Sequence, residues 1–179
     1  MGYFKRALKW IVNILSVGRF TDAKNYDNVP DICRRIRSLG MDIYWYLIGY
    51  GGSESLIRSR IAEAGMDDYV IILGKKANPY PYIKACDIYA QPSRYEGNSI
   101  TVREAQILCK PVVVTAYPTA TSQIMDGIDG VIVPIDNDSC ANRMYEFICD
   151  RALQDRIINY LNNTNYGNVS SLETFYSIV

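Results

Sequence analysis

Two glutamates with seven residues between them, Glu96 and Glu104, bracket the stretch EGNSITVRE, and two cations, Arg19 and Lys24, follow Gly18 in SVGRFTDAK. Ionised carboxylates accept hydrogen bonds from hydroxyl groups, whereas guanidinium and ammonium groups grip phosphate oxygens. The 179-residue chain contains no histidine. Neither a Ser-His-Asp triad nor a His-ligated metal can therefore be assembled. Chemistry falls to carboxylates, cations and backbone amides. Arg19 and Lys24 taken alone read equally well as solvated surface cations.

The setting of the glutamates narrows the choice. With residues 99–109 as a helix, Arg103, Gln106 and Lys110 fall on a polar side and Ile100, Ile107 and Leu108 on an apolar one. Glu104, four residues from both Ile100 and Leu108, belongs to the apolar side. A carboxylate buried there requires a partner, a cleft or a ligand; a salt bridge at the edge of the core meets the same requirement. Glu96, with Gly97 and Asn98, precedes the helix start, where the amides of Ser99, Ile100 and Thr101 favour an anion. Carboxylates on either side of an anion site suit a ligand with phosphate in the middle and hydroxyls at both ends. A nucleotide-sugar has that shape.

These residues must be positioned by a sheet. Apolar runs at 10–17, 43–49, 69–73, 87–91, 111–115 and 130–134 alternate with amphipathic stretches at 28–39, 53–64, 79–85, 99–109, 119–126 and 138–161, the last read as two helices. This alternation predicts an α/β fold of three layers, Rossmann-like, with a parallel sheet of about six strands. In such sheets ligands bind beyond the carboxyl ends of the strands, where SVGRF, IGYGGSES and QPSRYEG all fall. IGYGGSES, with Ser53 as the expected helix cap, lacks the third glycine of a dinucleotide fingerprint because position 54 is Glu54; it reads as a tight turn.

Composition excludes several classes. Nineteen basic and nineteen acidic residues give no electrostatic reason to expect a nucleic-acid partner. The five cysteines are scattered without a C-x-x-C pair, as in a reducing compartment. No apolar run reaches membrane-spanning length, and a cytoplasmic location is expected. The expected organisation is a linker at 1–9, a nucleotide-sugar-binding domain at 10–163 and a helical tail at 164–179.

In this order and spacing, SVGRF with Lys24, LIGYGGSE, VIILGK, YIKACDIYAQPSRYEG, the glutamate pair, and CKPVVVT to DGVIVP resemble the carboxyl-terminal, donor-binding domain of the family-4 glycosyltransferases, which have the two-domain GT-B fold. The resemblance covers roughly residues 11–160. It implies transfer of a sugar from a nucleotide-diphosphate-sugar, which is a substrate, with retention and with no cofactor or required metal. By the same resemblance Arg19 and Lys24, after Gly18, grip the diphosphate and stabilise its departing charge. Glu96 contacts the transferred sugar, Glu104 holds the ribose hydroxyls, Ser99, Ile100 and Thr101 offer phosphate-binding amides, and the backbone at Gly74, Lys75 and Lys76 faces the base. Asn98 stands where the family usually has an aromatic residue, and Tyr117, Pro118 and Thr119 stand where glycines are common. The wording around TVREAQ and CKPVVVT is similar to bacterial enzymes of polysaccharide assembly.

The resemblance also implies an amino-terminal acceptor domain, which this chain lacks, so an isolated domain of low or no turnover is expected, with any membrane contact made at the inner face through that other half. Two further readings stand beside it. One is a non-catalytic nucleotide-binding or interaction module of the same fold; the other is a sugar epimerase, which suffers from the lack of additional acid-base groups.

Overall fold

The structure, a computed structural model, describes residues 11–164. The expected linker at 1–9 and the expected tail beyond residue 164 lie outside the described residues.

Six strands form one parallel sheet: β1 (Ile11–Val17), β2 (Asp42–Ile48), β3 (Val70–Gly74), β4 (Ile88–Gln91), β5 (Val112–Thr115) and β6 (Val131–Val133), in the order β3-β2-β1-β4-β5-β6. The helices are α1 (Val29–Ser38), α2 (Glu54–Glu63), α3 (Tyr80–Ala85), α4 (Ile100–Ile107), α5 (Ala120–Gln123), α6 (Asn137–Cys149) and α7 (Arg151–Asn163). The expected fold class is the observed one.

Central parallel strands are covered on both faces, which is why they are written as unbroken apolar runs. In β1, Ile14 and Leu15 are adjacent and therefore point to opposite faces, yet both are buried. Ile14 joins Ile32, Ile36, Trp45, Phe147 and Ile157 in the layer beneath α1, α6 and α7, while Leu15 joins Ile83, Val102 and Tyr117 beneath α3 to α5. Ser16 is the polar residue inside β1. Its hydroxyl donates to the Ala90 carbonyl at 2.6 Å and accepts from Trp45 Nε1 at 2.9 Å, so neither group is left unpaired in the core.

Helix ends follow local chemistry. Pro30 sits in the first turn of α1, where its missing amide costs nothing, and Gly40 (φ +97°) and Gly65 (φ +64°) end α1 and α2 in the left-handed region. Asp136 caps α6 by accepting from the Ser139 amide at 2.9 Å. Ser53, the expected cap of α2, makes no side-chain cap; its amide instead donates to the Phe20 carbonyl at 3.1 Å, tying that helix to the loop after β1. No helix among the described residues is long and apolar enough to cross a membrane.

The strand order reverses between β1 and β4, since β1 runs on to β2 and β3 on one side while β4 begins the other half. In open parallel sheets the ligand crevice lies at this switch point, beyond the carboxyl ends of β1 and β4, at the loops that leave them. Gly18, Arg19, Lys24, Glu96 and the start of α4 all lie on those two loops.

Candidate functional site

The loop after β1 is held by its neighbour. The Gly18 amide donates to the Ile48 carbonyl at 3.0 Å and the Phe20 amide to the Tyr50 carbonyl at 2.9 Å, so this segment runs alongside the glycine-rich loop that follows β2. The approach is too close for side chains: a Cβ on Gly49 would stand 1.9 Å from the Gly18 carbonyl oxygen, and one on Gly51 2.4 Å from that of Phe20. The glycines of IGYGG are thus explained by loop against loop. Phe20 is fully buried and packs edge-on against Tyr26, with ring centroids 5.7 Å apart, and this anchor leaves Arg19 projecting to solvent between two fixed residues. Among the described residues Arg19 makes no ion pair.

Asn25, in the left-handed region (φ 59°), ends the short helical turn at residues 22–24 from which Lys24 reaches Glu96. Arg94, on the loop after β4, fixes this turn: its guanidinium spans both carboxylate oxygens of Asp27, at 3.1 and 2.9 Å, and donates to the Asp22 carbonyl at 2.6 Å. The two loops are therefore tied together, and a bidentate arginine pair is well suited to set their relation.

Glu96 is the centre of the arrangement. Its Oε1 accepts from Lys24 Nζ, from Gln91 Nε2 at 3.0 Å and from Ser93 Oγ at 2.8 Å. Its side chain retains 11% of its exposure, and the Lys24 side chain 19%. Three donors converging on one oxygen of a largely buried carboxylate fix its orientation. Thr119 Oγ1 donates to the Glu96 carbonyl at 2.6 Å and to that of Gly97 at 3.1 Å, fixing the backbone as well. Two phenols sit close by in the interior: burial and the Glu96 charge push Tyr117 up to about 12, and burial foremost, with the charges of Tyr89 and Glu96, raises Tyr26 strongly. Both remain neutral, and the Tyr117 hydroxyl finds no protein partner among the described residues.

At α4 the structure corrects two expectations. The Ser99 amide is not available to an anion, because it donates to Gln123 Oε1 at 3.0 Å while Gln123 Nε2 donates to the Ser99 carbonyl at 2.7 Å. The amides of Ile100 and Thr101 find no acceptor among the described residues and remain open. The faces of α4 are also reassigned. Ile100 (74% exposed) and Ile107 (50%) point outward, whereas Val102, Ala105 and Gln106 are buried. Gln106 can be inside because its Nε2 donates to the Asp129 carbonyl at 3.1 Å. Glu104 is consequently half-buried at the rim rather than sunk in the core, and its Oε1 accepts from the Tyr80 hydroxyl at 2.9 Å.

The last expected segment follows β3. Gly74 ends that strand at φ +71° and its carbonyl accepts from the Gly49 amide at 3.1 Å. Lys75 Nζ lies 4.9 Å from the centre of the Tyr50 ring and Lys76 Nζ 5.6 Å from that of Tyr82. Asn98 and Gly97 are exposed at the mouth of the crevice.

The expected residues thus lie along one rim at the carboxyl end of the sheet. Lys24 and Glu96 touch; Arg19, the open amides of α4, Glu104 and the Gly74 to Lys76 segment stand apart from them. Sequence reading missed Gln91, Ser93, Thr119, Gln123 and Tyr80. The signal for the first two is their place: polar residues at the carboxyl end of an otherwise apolar strand, within DIYAQPS. Chemically, the rim offers cations and open amides for phosphate, flanked by two carboxylates for hydroxyls.

Comparison with known proteins gives a consistent answer. The model of the family described as glycosyl transferases group 1 matches residues 12–164. A curated relative, the N-acetylgalactosamine-N,N'-diacetylbacillosaminyl-diphospho-undecaprenol 4-alpha-N-acetylgalactosaminyltransferase of Campylobacter jejuni, is 29% identical over 127 residues, covering 70% of this chain and 34% of the relative. The chain spans about a third of the length of that relative. Among solved structures, a TarM mutant of S. aureus in complex with fondaparinux, alpha-GlcNAc-glycerol and UDP superposes with a TM-score of 0.81 at 18% identity, over 92% of this chain and 34% of that one. The carboxyl-terminal domain of a glycosyl transferase group 1 protein from Francisella tularensis gives a TM-score of 0.72 at 24% identity, over 87% of this chain and 86% of that domain.

Proposed function

The chain belongs to the glycosyl transferases group 1 family, and on that premise we propose that it is the donor-binding half of a retaining family-4 enzyme that moves a sugar from a nucleotide diphosphate to a glycan or lipid-linked acceptor. One observation carries the reading: Glu96, held by Lys24, Gln91 and Ser93, stands at the sheet's crevice beside the open amides of Ile100 and Thr101, with Glu104 further along the same helix.

In this reading the diphosphate lies across the amino end of α4, between those amides and the side chains of Arg19 and Lys24. As the bond from the anomeric carbon to the diphosphate breaks, the electron pair leaves with the phosphate, and the two cations and the amides stabilise the charge that develops there. Glu96 orients the sugar through its hydroxyls. The acceptor oxygen attacks on the face the phosphate leaves and gives its proton to that phosphate, so no histidine and no metal is needed. The ribose hydroxyls bind at Glu104 and the base rests against the Gly74 to Lys76 segment. An acceptor domain supplied by the rest of the enzyme closes the crevice, on the cytoplasmic side of the membrane.

Calorimetric titration with UDP, GDP and ADP tests the reading. Selective binding of one of them is expected and names the donor class; a folded chain that binds none of the three overturns it. Retention is tested separately, by the anomeric configuration of the product made by an enzyme containing both halves. An inverted product would refute that part alone.

A further inference from the structure

Tyr80 is the first residue of α3, and core packing does not account for it. The residue is 48% exposed, yet its backbone is tightly set: Asn78 Oδ1 accepts from the Tyr80 amide at 3.0 Å, Pro79 precedes it, and Ile83, fully buried one turn on, pins the helix to the core. The hydroxyl reaches across to α4 and donates to Glu104 Oε1 at 2.9 Å. Tyr80 thereby bridges the segment that leaves β3 and the helix that carries Glu104. Glu104 Oε2 accepts no hydrogen bond among the described residues.

Resting on the reading above, in which Glu104 takes the ribose, we propose that Tyr80 is a positioning residue for the nucleoside: it fixes one carboxylate oxygen of Glu104 and presents the other to the ribose hydroxyls, while its exposed ring borders the nucleoside. An unanchored glutamate at a rim loses rotamer freedom when it binds; the tyrosine imposes that order beforehand, on a backbone that is already rigid. The direction of the hydrogen bond is secure, since the bond to Glu104 and that residue's negative charge raise the Tyr80 pKa and keep the phenol a donor. The residue thus recognises no atom of the sugar itself; it tunes discrimination for nucleotides that carry ribose hydroxyls.

The test is titration of the 179-residue chain, wild type, Tyr80→Phe and Glu104→Gln, with UDP, GDP and ADP and with the 2′,3′-dideoxy analogue of whichever binds. Tyr80→Phe is expected to weaken the ribonucleotide about 3- to 10-fold, the range of one hydrogen bond, and to leave the dideoxy analogue within about twofold. Its melting temperature should match wild type, because the ring packs little. Equal losses for both nucleotides, or no loss while Glu104→Gln weakens the ribonucleotide, overturn the role of Tyr80 alone. If Glu104→Gln also binds like wild type, or the wild-type chain binds none of the nucleotides, the ribose assignment fails and the inference falls with it.

Discussion

At the scale of single residues, the two cations differ in what they are free to do. Lys24 is engaged with Glu96, so its charge is partly spent on holding a carboxylate in place. Arg19 is exposed and anchored only through its backbone. Arg19→Ala should therefore weaken a nucleoside diphosphate about 10-fold or more, the scale of a charge-assisted hydrogen bond, and spare the free nucleoside. Titration of the two ligands in parallel checks this, and equal losses would refute a phosphate role. Glu96→Gln acts differently. Its remaining carbonyl oxygen can still accept from Lys24, Gln91 and Ser93, but it accepts more weakly without the charge, and Lys24 is stripped of its counter-charge inside a largely buried cluster. A loss of about 1–3 kcal/mol in stability is expected from denaturant titration, together with loss of transfer in the two-domain enzyme. Loss of transfer with wild-type stability would mean that the cluster is functional without being structural.

At the scale of elements, the decisive constraint is contact between loops. Gly49→Ala would drive a methyl into the Gly18 carbonyl, and either the loop after β1 or the loop after β2 must yield. Destabilisation of about 1–3 kcal/mol is expected, measured by thermal unfolding, with nucleotide affinity falling as well because Arg19 rides on the displaced loop. An unchanged melting temperature would show that the loops are not coupled. This coupling was invisible in the sequence, where IGYGG shows only a turn, because a close approach depends on which loop lies beside it. The strands were legible because β4 and β5 are buried at every position and β1 at most of them, so each buried position must be apolar or satisfy its polar group, as Ser16 does. The amphipathic pattern of α4 misled for a physical reason. Ile100 and Ile107 face the open side, and Gln106 is hidden because its amide serves the Asp129 carbonyl. Hydrophobicity predicts which side meets the core only when nothing else binds the outer face. The same pattern put Glu104 on the buried side, whereas the stripe it shares with Ile100 is the outer one and its carboxylate accepts from Tyr80 at the rim.

At the scale of the whole molecule, the cysteines report on the integrity of the two layers. Burial pushes Cys33, Cys86 and Cys140 up to about 12, whereas Cys149 is exposed. Thiol labelling of the native chain near pH 8 should mark Cys149 quickly and those three only on unfolding; rapid labelling of Cys33 or Cys140 would contradict the packing of α1 against α6. The sign of the pH dependence follows. Above the ordinary thiol value near 9, the unfolded chain releases protons that the folded chain keeps until about 12, so these three groups make stability decline across that window as pH rises. The sheet order has a consequence for how the chain is made. β1 lies at the centre, with Ile14 paired to Ile88, 74 positions later on the hydrogen-bond ladder. At about 5–20 residues per second of synthesis, one edge of β1 waits several seconds for β4 to emerge. During that interval β1, β2 and β3 present an apolar edge with unpaired amides and carbonyls, the form most prone to pair with another nascent chain. The strand that seals that edge leads directly into the Glu96 loop, so the crevice cannot form before β1 is paired on both sides.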